Sequence, residues 1–233
     1  MKKFFLVGSV LLFLSAGWVQ SQENPSQYLN LFERKYSGLK DYTAEVRIHF
    51  DMEALKAPDM DAKVYYKSPD KVKIESKGVF LFPREAGYFN PSRFKPDQYE
   101  IRLLERLSLD GKNAVRLQLI PKEAKKSDER FVLTMDVDRI LIREIKTFSA
   151  EGREVRASID YRRFGDFDLP SHIKLEFELP PTETNETKGL IPFGRKAKPV
   201  TGVVEMTYSR YTVNSGLSDQ IFKEVKSRKL DPF

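Results

Sequence analysis

The segment Ala62–Phe82, AKVYYKSPDKVKIESKGVFLF, holds two alternating runs on either side of Ser68-Pro69-Asp70. Before the proline, Val64 and Tyr66 alternate with Lys63, Tyr65 and Lys67. After it, Val72 and Ile74 alternate with Lys71, Lys73 and Glu75. Period-two alternation describes a strand with one buried and one wet face. A proline pushes the preceding residue out of the helical region, and Asp favours turns, so the spacing predicts two strands meeting at a corner. The alternation stops at Val79-Phe80-Leu81-Phe82, which Pro83 follows. There, either both faces become covered or the run is the apolar rim of a cavity.

The same pattern extends outward. Asp41–Met52 is the cleanest strand, with Tyr42, Ala44, Val46, Ile48, Phe50 and Met52 on one face. Upstream, Tyr28, Leu31, Phe32, Tyr36 and Leu39 recur at helical spacing, with Asn24 and Pro25 as start signals and Gly38 as a stop. This predicts one amphipathic helix over 25–39, lying across a sheet. Residues 83–98 break the pattern and carry Pro83, Pro91 and Pro96 with Tyr88, Phe89 and Phe94; we read them as a lid or rim.

Further along, 99–109 and 114–120 form a hairpin about Asp110-Gly111. Strands follow over 130–135, 140–148, 154–163, 172–179 and 200–213, with 164–170 as a connector and 180–199 as a long loop. Ser218 caps a short terminal helix carrying Ile221 and Phe222. Nine or ten strands in meander order form an antiparallel sheet that curls strongly, and its apolar side must be filled or covered. The expected fold is mainly β (α+β): a half-open curled antiparallel barrel with an apolar cavity, capped by the N-terminal helix and the lid.

Residues 1–21 have a basic start at Lys2 and Lys3, an apolar run and the ending Val19-Gln20-Ser21. The pattern predicts a cleaved signal peptide rather than an uncleaved membrane anchor, followed by a single domain over 22–233. The chain has no cysteine, so neither a disulfide nor a lipidated cysteine tethers it, and its stability must come from a core. Without Lys2 and Lys3 there are 38 basic and 34 acidic residues, a net +4. This mild excess is spread along wet strand faces. It permits transient contact with an anionic membrane and gives no reason to expect nucleic acid.

Motifs for catalysis are missing. His49 and His172 lie on polar strand faces, and Asp136 with Asp138 fits a turn better than a metal pair. No phosphate loop or nucleophile elbow is present. We therefore expect no enzyme, cofactor or metal.

Several segments resemble the periplasmic outer-membrane lipoprotein carrier family (LolA/LolB-like). Residues 28–46 are similar to its first helix and strand. Tyr65–Glu75 is similar to its strand–proline–strand corner, Ala114–Lys122 to the strand closing in Pro-Lys, and Ile142–Leu179 to its later meander. The resemblance implies a periplasmic carrier without catalysis, whose apolar cavity holds lipid or lipoprotein acyl chains for transfer toward the outer membrane. One position departs. The family's carrier has an arginine just before the corner proline, where this chain has Ser68, with Lys67 one residue earlier. Adjacent strand residues face opposite ways, so Lys67 does not replace it, and the family's lid latch is not carried over.

The apolar faces supply the candidate cavity wall: Val46, Ile48, Phe50, Val64, Tyr66, Val72 and Ile74. The candidate lid and mouth are Phe80, Phe82, Tyr88, Phe89, Phe94, Leu190, Ile191 and Phe193. The expected state is a monomer. A second reading keeps the fold but makes it an envelope sensor or interaction protein that binds a protein partner at the lid and mouth.

Overall fold

The computed structural model describes residues 24–52, 58–76, 88–123, 129–148, 154–179 and 200–223. Within them the chain forms one helix, α1 (Ser26–Lys35), and ten strands. The strands are β1 (Asp41–Met52), β2 (Met60–Lys67), β3 (Lys71–Ser76), β4 (Tyr99–Leu109), β5 (Lys112–Pro121), β6 (Arg130–Asp136), β7 (Leu141–Phe148), β8 (Glu154–Phe164), β9 (Phe167–Leu179) and β10 (Val200–Val213). All belong to one sheet, in the order β3-β2-β1-β10-β9-β8-β7-β6-β5-β4. Every pairing is antiparallel. The first and last strands lie side by side in the middle, while β3 and β4, consecutive in sequence, form the two edges. The sheet is curled and unclosed, with its apolar faces and α1 joined in one core.

The turns follow from local chemistry. Asp110 and Gly111 both take positive φ, 51° and 75°, the geometry that a two-residue hairpin demands. Asp136 accepts from the backbone N–H groups of Asp138 (3.1 Å) and Arg139 (2.9 Å), so its carboxylate serves the β6–β7 turn. Ser218 Oγ accepts from Gln220 N–H and starts a 3-10 turn at Asp219–Phe222.

Two boundaries differ from the expectation by more than two residues. α1 stops at Lys35, before Gly38, because Tyr36 leaves the helix and its hydroxyl donates to the Asp168 carbonyl at 2.6 Å. β9 begins at Phe167 and runs through Leu169-Pro170, which the alternation assigns to a connector. The reason is a bulge: Asp160 pairs with His172 and Tyr161 with Pro170, leaving Ser171 as the extra residue. A proline fits inside a strand where a bulge interrupts the ladder.

Candidate functional site

The inner face of the sheet carries a cross-strand row: Leu117, Leu133, Ile145, Ala157, Leu175, Val204 and Phe50, each paired with the next. Ala157 is the smallest side chain in the row, so the packed surface dips over β7–β9. Thr147 and Val155, paired with each other, deepen the dip toward one end. Above it lies a cavity of about 480 Å³. Among the described residues, its floor is Ile142, Ile145, Thr147, Val155, Ala157, Ile159, Tyr161, Ile173 and Leu175. Its roof is Phe32 of α1 with Tyr88, Phe89 and Phe94, and Asn90, Arg93 and Glu129 complete the lining. This volume falls in the roughly 300–1,000 Å³ range of small-ligand sites.

Both roof elements are fixed. At the end of α1, Lys35 Nζ donates to Asp168 Oδ2 and to the Arg139 carbonyl, each at 2.7 Å. Arg139 donates to the other Asp168 oxygen at 3.0 Å. Burial pushes the Asp168 carboxyl up, but Lys35 and Arg139 together hold it below the usual carboxylate range. Phe89 is clipped through its backbone: Tyr42 Oη donates to its carbonyl at 2.8 Å and accepts from its N–H at 3.0 Å. The Phe89 ring meets Phe32, Tyr36 and Tyr161 edge-on, at centroid distances of 6.3, 5.1 and 6.1 Å. Burial raises the Tyr161 hydroxyl well above its ordinary pKa, and it donates to the Ile142 carbonyl at 2.8 Å. The cavity therefore offers aliphatic surface, rings and a protonated phenol, which suits retention of an apolar chain.

The residues expected in the cavity wall lie elsewhere on the same face. Val46, Ile48, Phe50, Val64 and Tyr66 are buried in the core, with Val72 and Ile74 partly buried against it. None of these seven lines the cavity over β7–β9. Tyr88, Phe89 and Phe94, expected at the lid, are in its roof. Phe80, Phe82, Leu190, Ile191 and Phe193 lie outside the described residues, as does the signal-peptide segment 1–21. The floor residues of β7–β9 were missed. Small and medium side chains (Thr147, Val155, Ala157) face inward there, where β1, β2 and β10 carry Tyr42, Tyr66 and Tyr208.

Lys67, beside the departing Ser68, turns to the C-terminal segment. Its Nζ donates to the Leu217 carbonyl at 2.8 Å and to Asp219 at 2.6 Å, and Lys71 reaches the other Asp219 oxygen at 2.9 Å. Lys67 and Lys71 are register partners, so Asp219 sits between two facing like charges. The Asp41 carboxylate accepts from the N–H groups of Ser215, Gly216 and Leu217, which ties the same segment to β1. The histidines are on the wet face. His49 pairs with Asp59 at 2.7 Å, which raises the histidine pKa, and His172 pairs in register with Asp160.

No family model and no curated protein matches the chain. Solved structures do. A DUF1329 family protein from Desulfovibrio piger is 14% identical with a TM-score of 0.59, over 86% of this chain and 98% of that one. A LolA superfamily protein from Nitrosomonas europaea is 13% identical with a TM-score of 0.59, over 87% and 98%. A putative outer membrane lipoprotein-sorting protein domain from Vibrio parahaemolyticus is 11% identical with a TM-score of 0.56, over 86% and 97%. The resemblance to lipoprotein-carrier proteins thus holds at the level of fold. No helix among the described residues is long and apolar enough to cross a membrane.

Proposed function

We propose that the protein is a periplasmic carrier that holds an acyl chain of a lipid or lipoprotein in the cavity over β7–β9, for transfer toward the outer membrane. The observation that carries this reading is the apolar cavity of about 480 Å³ beneath α1 and the 88–94 segment. Each buried methylene contributes about 0.8 kcal/mol, so ten of them supply about 8 kcal/mol before ordering costs. That is enough for retention without a covalent bond. The fold of the sorting-protein domain and of the LolA superfamily protein supports the same reading.

The test is native mass spectrometry of protein purified from periplasm without detergent, followed by exposure to phospholipid vesicles. A co-purifying lipid or acylated peptide, or lipid withdrawn from vesicles, is the expected result. A folded protein that arrives bare and also takes nothing from vesicles overturns the carrier, and the search then moves to a protein partner at the lid.

A further inference from the structure

The cavity's mouth adds a head-group class to the acyl-chain reading, on which this step rests. Two opposite charges, Arg93 and Glu129, line the cavity, and both are only partly buried. The Arg93 guanidinium carbon lies 5.4 Å from the Phe94 ring centroid and 5.7 Å from that of Phe131. A guanidinium held against rings keeps its donors in a fixed plane, suited to phosphate or carboxylate oxygens. Glu129, just before β6, lines the same cavity. Both charges act on one hydroxyl from a distance: burial raises the Tyr99 pKa, Arg93 opposes the rise and Glu129 adds to it. Asn90 and Thr147 line the same cavity with neutral hydrogen-bonding groups.

Among the described residues the lining carries one cation and one anion, an arrangement that does not match a head group of a single sign. A purely anionic group drawn to Arg93 meets Glu129, and a purely cationic one drawn to Glu129 meets Arg93. At a partly desolvated site that like-charge contact costs more than on an open surface, and it becomes a selectivity device. We propose that the ligand is a zwitterionic phospholipid, with its phosphate on Arg93, its cationic end toward Glu129 and one acyl chain over Ala157. The net charge of the chain after residue 21, +4, would by itself favour anionic membranes, so a zwitterionic preference would have to arise at the site.

The experiment offers the full mature protein vesicles of phosphatidylethanolamine or of phosphatidylglycerol in matched phosphatidylcholine-free form and measures bound lipid after gel filtration. Wild type is expected to retain the zwitterionic lipid over the anionic one. Glu129→Gln should abolish or reverse that preference, since it removes the like-charge barrier with almost no change of shape. Arg93→Gln should weaken retention of both lipids by roughly tenfold, the scale of one charge-assisted hydrogen bond. Arg93→Lys keeps the charge and separates its loss from disturbed packing on Phe94 and Phe131. A wild type that takes both lipids equally, or a Glu129→Gln variant with unchanged preference, overturns the head-group assignment and leaves the carrier standing. A folded wild type that takes neither lipid overturns the head-group assignment, and overturns the carrier as well where the protein also leaves the periplasm bare.

Discussion

Around β1, β2 and β10 the inner face is filled by rings: Tyr42 stacks on Tyr66 at 5.1 Å and meets Tyr211 at 5.5 Å, and Tyr211 lies 6.3 Å from Tyr208. Across β7, β8 and β9 the same face carries Ile145, Thr147, Val155, Ala157, Ile159 and Ile173, with Tyr161 as its one tyrosine, and leaves a cavity. Both regions share one sheet, one alternation and one core with α1. What differs is side-chain volume. Where tyrosines project from the strands they close the space themselves. Where alanine, threonine and valine project, the space is roofed by Phe32 and Phe89 and stays open beneath them. In this fold the position of the binding volume is set by which strands carry small inward residues.

The sharpest way to break the contrast is to empty the filled half. Tyr42 is fully buried and holds both the N–H and the carbonyl of Phe89. Tyr42→Ala removes a large ring and leaves two backbone groups without their partner. The expected loss is about 3–5 kcal/mol, measured as a fall in the urea midpoint with an unchanged slope. Tyr42→Phe separates the terms: it keeps the ring and forfeits the hydroxyl, at about 1–3 kcal/mol. If both variants lose the same amount, the packing of the ring contributes little and the volume account of the filled half fails.

The converse change fills the open half. Ala157→Phe puts a ring into the dip between Ile145 and Leu175. Because space exists, stability should change by no more than about 1 kcal/mol, less than overpacking a dense core costs. Lipid retention should suffer instead. Displacing two methylenes of a bound chain loses about 1.6 kcal/mol, roughly a tenfold weaker complex by equilibrium dialysis. Full retention in a folded Ala157→Phe protein would move the acyl chain out of this cavity.

These two experiments also mark how far the sequence could be read. The alternation of 41–52, 62–67 and 71–75, the Ser68-Pro69-Asp70 corner and Asp110-Gly111 were enough to predict strands, hairpins and a curled sheet. The lid aromatics Tyr88, Phe89 and Phe94 stood out because rings in a proline-broken segment need a place to bury. The cavity floor was not legible in the same way. Alternation tells which residues face inward, and Val46 or Val64 gives the same signal as Val155 or Ile159. Whether an inward face meets another side chain or a void depends on the sum of volumes across strands far apart in sequence. The row through Leu133, Ile145, Ala157 and Leu175 exists only once the register is known. Pro170 was misleading for a related reason: a bulge in a long-range pairing lets a proline sit within β9.

A smaller effect should come from the roof's anchor. Lys35→Met removes one of the two cations on Asp168 and frees the end of α1. A hydrogen bond to a charged group contributes about 1.5–3 kcal/mol, and because Arg139 stays in place the expected loss is at the lower end. The pH dependence has a definite sign. Asp168 is held below the usual carboxylate range, so its contribution is fully present above about pH 4, the unfolded carboxylate value, and is lost as pH falls through the lowered folded value. The gap between wild type and Lys35→Met should therefore be widest near neutrality and close in acid. A gap independent of pH would mean that the lysine acts through packing alone.

The smallest effect belongs to the lysine pair that flanks the Ser68-Pro69-Asp70 corner. Asp219 is exposed and lies between Lys67 and Lys71, whose hydrogen bonds and charges bring its carboxyl down to about 2. Exposed ion pairs add little to global stability, so Asp219→Asn should leave the urea midpoint nearly unchanged. Its effect should be local. The Asp219 contribution is present above the unfolded carboxylate value and disappears as pH falls through about 2, so the carboxyl resonance should titrate near there in wild type. In Lys67→Gln the titration should move back toward the ordinary range, because one of the two cations and its hydrogen bond are gone. The amide signals of Leu217 and Ser218 should shift with it, since Lys67 also holds the Leu217 carbonyl. Those of Phe89 and Ala157 should stay still, as the cavity lies over other strands. Movement of the cavity signals in Lys67→Gln would instead couple this corner to the roof.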